Sequence, residues 1–126
     1  MDNHFNYTIV GAGIIGLAIA EKLSRSNNNV LVIEKEKGFG LHTSSRNSEV
    51  IHSGYCYPPK SLKAKLCVRG NKLIYDFCDK YKIAYNKCGK LVVAHSDDEV
   101  NELRDICSIA ISNGVLDTKI LSKIYR

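Results

Sequence analysis

Apolar and polar positions fall into blocks along the chain, and the blocks carry different periods. Tyr7-Thr8-Ile9-Val10 and Val30-Leu31-Val32-Ile33 are short apolar runs. The second has no polar alternation, which predicts a strand buried on both faces, as in a parallel sheet. Between them, Ile14 to Arg25 reads as a helix. Ile15, Ile19 and Leu23 form one apolar stripe, and Ala12, Gly16 and Ala20 form a neighbouring stripe of small residues suited to close packing. Ser24 to Asn29 is a polar turn that ends it. Residues 35–60 keep neither helical nor strand period. Pro58-Pro59 stops regular structure, and Ser61 can cap a helix running to about Lys82. Leu62, Leu66, Leu73, Phe77 and Tyr81, with Ile74 and Cys78 beside them, read as its packing face. Gly70 within that helix costs ~1 kcal/mol relative to Ala, which predicts a close neighbour. Leu91 to Ala94 reads as a strand. Ser96 and Glu99 form a capping box. The helix they open carries Val100, Leu103, Cys107 and Ala110 inward and closes at Asn113-Gly114. A short strand is expected around Ile120 and Leu121.

The turn between the first strand and the first helix is Gly11-x-Gly13-x-x-Gly16, and Glu34 closes the second strand. Strand, glycine turn, helix, strand and terminal acid in this order form the βαβ pattern of a dinucleotide site. Gly11 permits the tight turn, Gly13 lets backbone approach a pyrophosphate, and Gly16 lets the helix lie against the strands. The helix start, at Ile14 and Ile15, offers unpaired N–H groups and a positive dipole end to phosphates. Glu34, with Lys35 beside it, can meet an adenosine ribose, and its charge disfavours the 2′-phosphate of NADP. FAD and NAD both fit this turn.

The aperiodic stretch is long enough to suggest a site. Thr43, Ser44, Ser45, Asn47 and Ser48 supply hydroxyl and amide groups, and Arg46 a fixed cation, so together they could bind phosphate or ring heteroatoms. Ser44 to Ser48 could also open a short helix. A solvated polar loop is the alternative.

Composition changes this picture little. With 126 residues, 44% apolar and 25% charged, the chain is at most one ordinary globular domain. The net charge of +5 comes from scattered Lys and Arg with no basic block, so nucleic acid is not the expected partner. Attraction to an anionic membrane surface stays open. The Cys count of 5 is odd and contains no C-x-x-C pair, which argues against a disulfide framework or a metal site. Cys67, Cys78 and Cys107 read as small core residues. No apolar run is long enough for a transmembrane segment. Only Met1 to Asn6 precede the first strand, leaving no room for a signal or transit peptide. With reduced thiols, this leads to the expectation of a cytoplasmic chain, peripheral to the inner membrane at most.

The block Thr-Ser-Ser-Arg-Asn-Ser-Glu-Val-Ile-His-Ser-Gly (residues 43–54), with Ser-Leu-Lys-Ala-Lys-Leu-Cys-Val-Arg-Gly (61–70) and Cys-Gly-Lys-Leu-Val-Val-Ala (88–94), closely resembles the N-terminal part of FAD-dependent L-2-hydroxyglutarate dehydrogenases. These are D-amino-acid-oxidase-like flavoproteins, a group shared with glycerol-3-phosphate dehydrogenases and amine oxidases. The resemblance covers residues 7–95 well and 96–126 loosely. It implies an α/β fold: a Rossmann-like FAD-binding βαβ unit with parallel strands, an incomplete domain plus the start of the substrate region. Residues 1–126 would be the N-terminal portion of that domain, and Leu121 to Arg126 read as an interrupted end. The resemblance further implies that Gly11, Gly13, Gly16 and Glu34 hold the ADP half of FAD, with Thr43 to Ser48 on the pyrophosphate and flavin side. A small 2-hydroxy acid would be oxidised to the 2-oxo acid by hydride transfer to flavin, and the electrons would go on to a quinone or another acceptor. His52 lies in this block and is a candidate general base, flavin neighbour or structural residue. Tyr55-Cys56-Tyr57 departs from the family's Ile-Tyr-Tyr. Two alternatives stand beside this reading: an inactive truncated FAD-binding fragment, and an NAD-dependent dehydrogenase module. The second is weakened because no helix is predicted directly after the second strand.

Overall fold

The computed structural model describes residues 4–121 and divides into two compact units, with the boundary between Val50 and Ile51.

The first unit begins with β1 (Tyr7–Val10), α1 (Ile14–Ser24) and β2 (Val30–Ile33), at the residues where the apolar blocks put them. The strands pair in parallel, Tyr7 with Val30 through Val10 with Ile33. Parallel neighbours need a crossover, which α1 supplies by packing on both strands. The polar turn is tied back to the sheet: Asn29 N–H donates to Asn6 Oδ1 at 2.8 Å, and Asn6 N–H donates to the Asn29 carbonyl at 2.8 Å. A short 3-10 turn, Thr43–Ser45, is the one regular piece between β2 and residue 50.

Burial departs from expectation here. Residues 30–32 are half-buried and Ile33 is exposed, not covered on both faces. The stripe on α1 is open as well: Ile14, Ile15 and Ile19 are exposed and, with Ala18, Lys22 and Leu23, line a shallow apolar surface. The small residues lie inward instead, with Ala12 buried. Two strands and one helix have too few layers to cover both sheet faces and the outer helix face.

The second unit holds α2 (Leu62–Tyr81) and α3 (Asp97–Asn113), which pack on each other. Both start as their chemistry dictates. Ser61 Oγ accepts from the Ala64 N–H at 3.1 Å, and Ser96 Oγ from the Glu99 N–H at 3.3 Å. Glu99 Oε2 reaches back to the His95 N–H at 2.6 Å, one residue before the capping serine. α2 stops where Lys82 turns left-handed at φ 57°, and α3 stops at Gly114, φ 94°.

Three expectations fail in this unit. Leu62, Leu66, Leu73, Phe77 and Tyr81 are exposed; of the expected face Cys78 is buried as predicted, and Ala64 is buried with it. Gly70 has no close neighbour, since a Cβ placed there meets nothing within 4 Å. Neither Leu91–Ala94 nor the stretch around Ile120 and Leu121 forms a strand, because a strand needs a paired neighbour and none of the described residues pairs with them. On α3, by contrast, Val100, Leu103 and Cys107 are partly covered and Ala110 is fully buried, as the pattern predicts. All five cysteines are free thiols. Among the described residues no helix is long and apolar enough to cross a membrane. Residues 122–126, part of the expected interrupted end, lie outside the described residues.

Candidate cofactor site

The site grows from the joint between β1 and α1. Gly11 donates its N–H to the Ile33 carbonyl at 2.7 Å and takes φ +102°, which a side chain would resist. Gly16 sits so close to the turn that a Cβ would collide with the Gly11 carbonyl oxygen. Gly13 is the residue before the helix, extended at ψ 175°, and having no side chain it offers no cap. The first N–H groups of α1 therefore need acceptors from elsewhere.

Ser44 supplies one, and Glu34 takes an N–H of the turn just before the helix. Glu34, at the end of β2, accepts the Ala12 N–H on Oε2 at 2.6 Å. Its Oε1 accepts the N–H groups of Lys35 at 2.9 Å and Glu36 at 3.1 Å. The Ala12 N–H, the largest influence, holds the Glu34 carboxyl below its usual range; the Glu36 and Lys35 N–H groups and the charge of His42 act the same way, and partial desolvation opposes them. Ser44, on the 3-10 turn, accepts the Ile14 N–H on Oγ at 2.9 Å. A Cβ on Gly13 would approach the same oxygen to 3.3 Å, so glycine there also makes room for Ser44.

The loop carrying Ser44 is itself anchored. Gly40 N–H donates to the Ala12 carbonyl at 2.9 Å. His42 Nε2 lies 2.8 Å from Glu36 Oε1, and the His42 carbonyl accepts both the N–H and the hydroxyl of Ser45, at 3.1 and 3.2 Å. Asn47 Nδ2 donates to the Ser44 carbonyl at 3.0 Å, and Asn47 Oδ1 accepts the Glu49 N–H at 2.8 Å.

Of the residues singled out from sequence, Gly11, Gly13, Ile14, Gly16, Glu34 and Ser44 thus come together around one turn. Lys35 joins through its backbone, while its ammonium points to Glu36 at 3.7 Å. Ser45 and Asn47 shape the loop from within. Ile15 begins the helix with an exposed side chain. Thr43, Arg46 and Ser48 are exposed, and the Arg46 guanidinium has no carboxylate partner among the described residues. Glu36, Gly40 and His42 were not expected to take part. Their pairing crosses an aperiodic loop, and no spacing signals it.

His52 belongs to the second unit. Its Nδ1 is 3.5 Å from the Tyr57 hydroxyl, and its carbonyl accepts from Asn71 Nδ2 at 3.3 Å. The segment after it is pinned by Asn113, whose Nδ2 donates to the carbonyls of Gly54 at 3.0 Å and Tyr57 at 2.8 Å.

A parallel βαβ unit with a glycine turn, a terminal carboxylate and a polar loop over the helix start defines a dinucleotide-type site. Residues 6–125 match the family model described as FAD dependent oxidoreductase, and the chain belongs to that family, whose cofactor is FAD. Among named proteins it is similar to the mitochondrial L-2-hydroxyglutarate dehydrogenases. It is 45% identical to that of Arabidopsis thaliana over 90% of this chain and 23% of the relative, and 46% identical to that of Nematostella vectensis over 95% and 27%. It is 42% identical to the Homo sapiens protein over 94% and 26%. The chain therefore spans about a quarter of the length of these relatives. Their names correct one expectation. They are mitochondrial proteins, which overturns the cytoplasmic reading. Unpaired cysteines do not tell one compartment from another.

Proposed function

We propose that residues 7–48 bind the ADP half of FAD, and that the chain is the N-terminal portion of a FAD-binding domain in an L-2-hydroxyglutarate-like 2-hydroxy-acid dehydrogenase. The observation that carries this is the closed array of Ala12, Glu34, Ile14 and Ser44 at the start of α1. Its residues suit an ADP group. A carboxylate has about four acceptor sites, and Glu34 spends only those facing Ala12, Lys35 and Glu36, leaving capacity for a ribose hydroxyl. Ser44 accepts from Ile14, so its own O–H stays available to donate to a phosphate oxygen. The first turn of α1 carries no acidic residue to repel one. FAD, when bound, supplies a hydride acceptor for the carbon that bears the substrate hydroxyl. His52 would take the hydroxyl proton on its neutral ring nitrogen. The resemblance extends the proposal to a quinone or another electron acceptor, and the net charge of +5 extends it to peripheral contact with an anionic membrane surface.

Titration of the purified chain with FAD, followed by quenching of flavin fluorescence, tests the reading. Saturable binding that Gly13→Val abolishes is expected, because the added side chain would press on Ser44 Oγ. Absence of saturation, or tighter binding of NAD than of FAD, would overturn it. A second reading, a chain that binds nucleotide without turning over substrate, is favoured by the open apolar surfaces at Val10, Ile15, Leu62 and Leu116. Bleaching of bound flavin by L-2-hydroxyglutarate under anaerobic conditions separates the two: reduction supports the first and a persistent yellow colour the second.

A further inference from the structure

The second unit gathers a cluster of cationic and proton-carrying groups around the 52–57 loop. Lys63 Nζ stands 4.2 Å from the centroid of the Tyr57 ring, within cation–π range. The hydroxyl of that same ring is 3.5 Å from His52 Nδ1, at the outer limit of a hydrogen bond. The ring backbone is held in turn, since Asn113 pins the Tyr57 carbonyl. Lys63 has no carboxylate within ion-pair distance among the described residues. It also lies in the first turn of α2, where the helix dipole disfavours a cation and no acidic residue offsets it. The first turn of α3 has the opposite arrangement, with Asp97, Asp98 and Glu99. A cation kept against the dipole, steered over an aromatic face and left without a counterion is suited to an anion from outside the chain.

We propose that Lys63, Tyr57 and His52 form a carboxylate-binding subsite, in which the Lys63 ammonium attracts the carboxylate and the Tyr57 hydroxyl donates a hydrogen bond to it, with the His52 ring beside that hydroxyl. The ligand class is a small carboxylic acid bearing a neighbouring hydroxyl. The proposal rests on the 2-hydroxy-acid reading above and names residues for its charged end. Tyr57 becomes the link between the two basic groups, a position that sequence pattern did not assign.

The test is a titration of the full chain with L-2-hydroxyglutarate at fixed ionic strength, read by NMR at the His52 ring and the Tyr57 ring protons. A saturable shift at both is expected. Lys63→Met should weaken it by about tenfold, the loss of one charge-assisted hydrogen bond, and Lys63→Arg should recover most of it. Lys63 is exposed on a helix, where Met is a good helix former, so the variant should keep the fold. FAD titration of the same samples should give equal affinities for wild type and Lys63→Met. No saturable shift in the wild type, equal affinity in Lys63→Met, or the same shift from sodium sulfate would overturn the subsite. Failure of FAD to bind wild type while the shift persists would sink the cofactor reading alone.

Discussion

The two units close their backbones by different means. In the first, polar side chains reach from one element to another and satisfy N–H groups at and just before a helix start: Glu34 takes Ala12, and Ser44 takes Ile14. In the second, each helix is capped from its own sequence, and contact depends on small residues and one amide, Asn113. The first arrangement leaves hydrogen-bonding capacity for a ligand. The second leaves a loop tied to Asn113, with Lys63 over its Tyr57 ring. Glycine serves both, and its role differs by neighbour. At Gly16 the obstacle is backbone, which cannot yield. At Gly54, φ +87°, it is partly a side chain, with Val68 Cγ2 at 2.9 Å and the Ala64 carbonyl at 3.3 Å from an added Cβ.

Gly16→Ala should therefore have the largest effect. The methyl group meets the Gly11 carbonyl, and separating α1 from the turn should cost about 3 kcal/mol or more and abolish FAD binding. Urea unfolding followed by circular dichroism, with FAD titration alongside, reads both. An unchanged midpoint would mean that the turn yields, and the contrast with Gly54 would disappear. Gly54→Ala comes next, at about 2 kcal/mol from backbone strain and crowding together. Hydrogen exchange at the Val68 amide should quicken, while that at Ala12 should not.

How far these elements could be read from the chain depended on whether their causes are local. The starts of α2 and α3 were legible at Ser61 and Ser96 because the cap and its N–H lie within three residues. β1 and β2 were legible because their pairing comes with a helix crossover written between them. Leu91–Ala94 has strand composition but no partner among the described residues, and composition cannot supply one. On α2 two stripes share helical spacing, and the larger residues looked like the core. The inward face went to Ala64 and Cys78, and at Ala64 Gly54 approaches so closely that an added Cβ would lie 3.3 Å from the Ala64 carbonyl. At the candidate site, Gly11, Gly16 and Glu34 announced themselves by spacing. Glu36 with His42, and Asn113 with Gly54, did not, because each pair meets across an aperiodic loop or a long stretch of chain.

Gly70 sharpens the same contrast from the other side. It lies within α2 at ordinary helical geometry, and an added Cβ meets nothing within 4 Å. Gly70→Ala should raise the stability of the second unit by about 1 kcal/mol, mainly by restricting the unfolded chain. A rise in urea midpoint without change in FAD affinity is the expected result. A fall would reveal a close neighbour after all.

The smallest effect concerns the charge that holds the first unit's turn. Glu34 titrates below its usual range, chiefly because the ionised carboxylate accepts the Ala12 N–H and then that of Glu36. The folded form thus binds its proton less readily than the unfolded chain. The stabilisation is complete above the ordinary Glu range and is lost as pH falls through the lowered folded value. Acidification should leave the second unit's caps at Ser61 and Ser96 in place, since serine hydroxyls do not titrate there. The amide of Ala12 should shift upfield and exchange faster in the same acid window, and Glu34→Gln should abolish that pH dependence while keeping an acceptor near Ala12. An Ala12 amide that titrates equally in wild type and Glu34→Gln would mean that another carboxylate holds the turn.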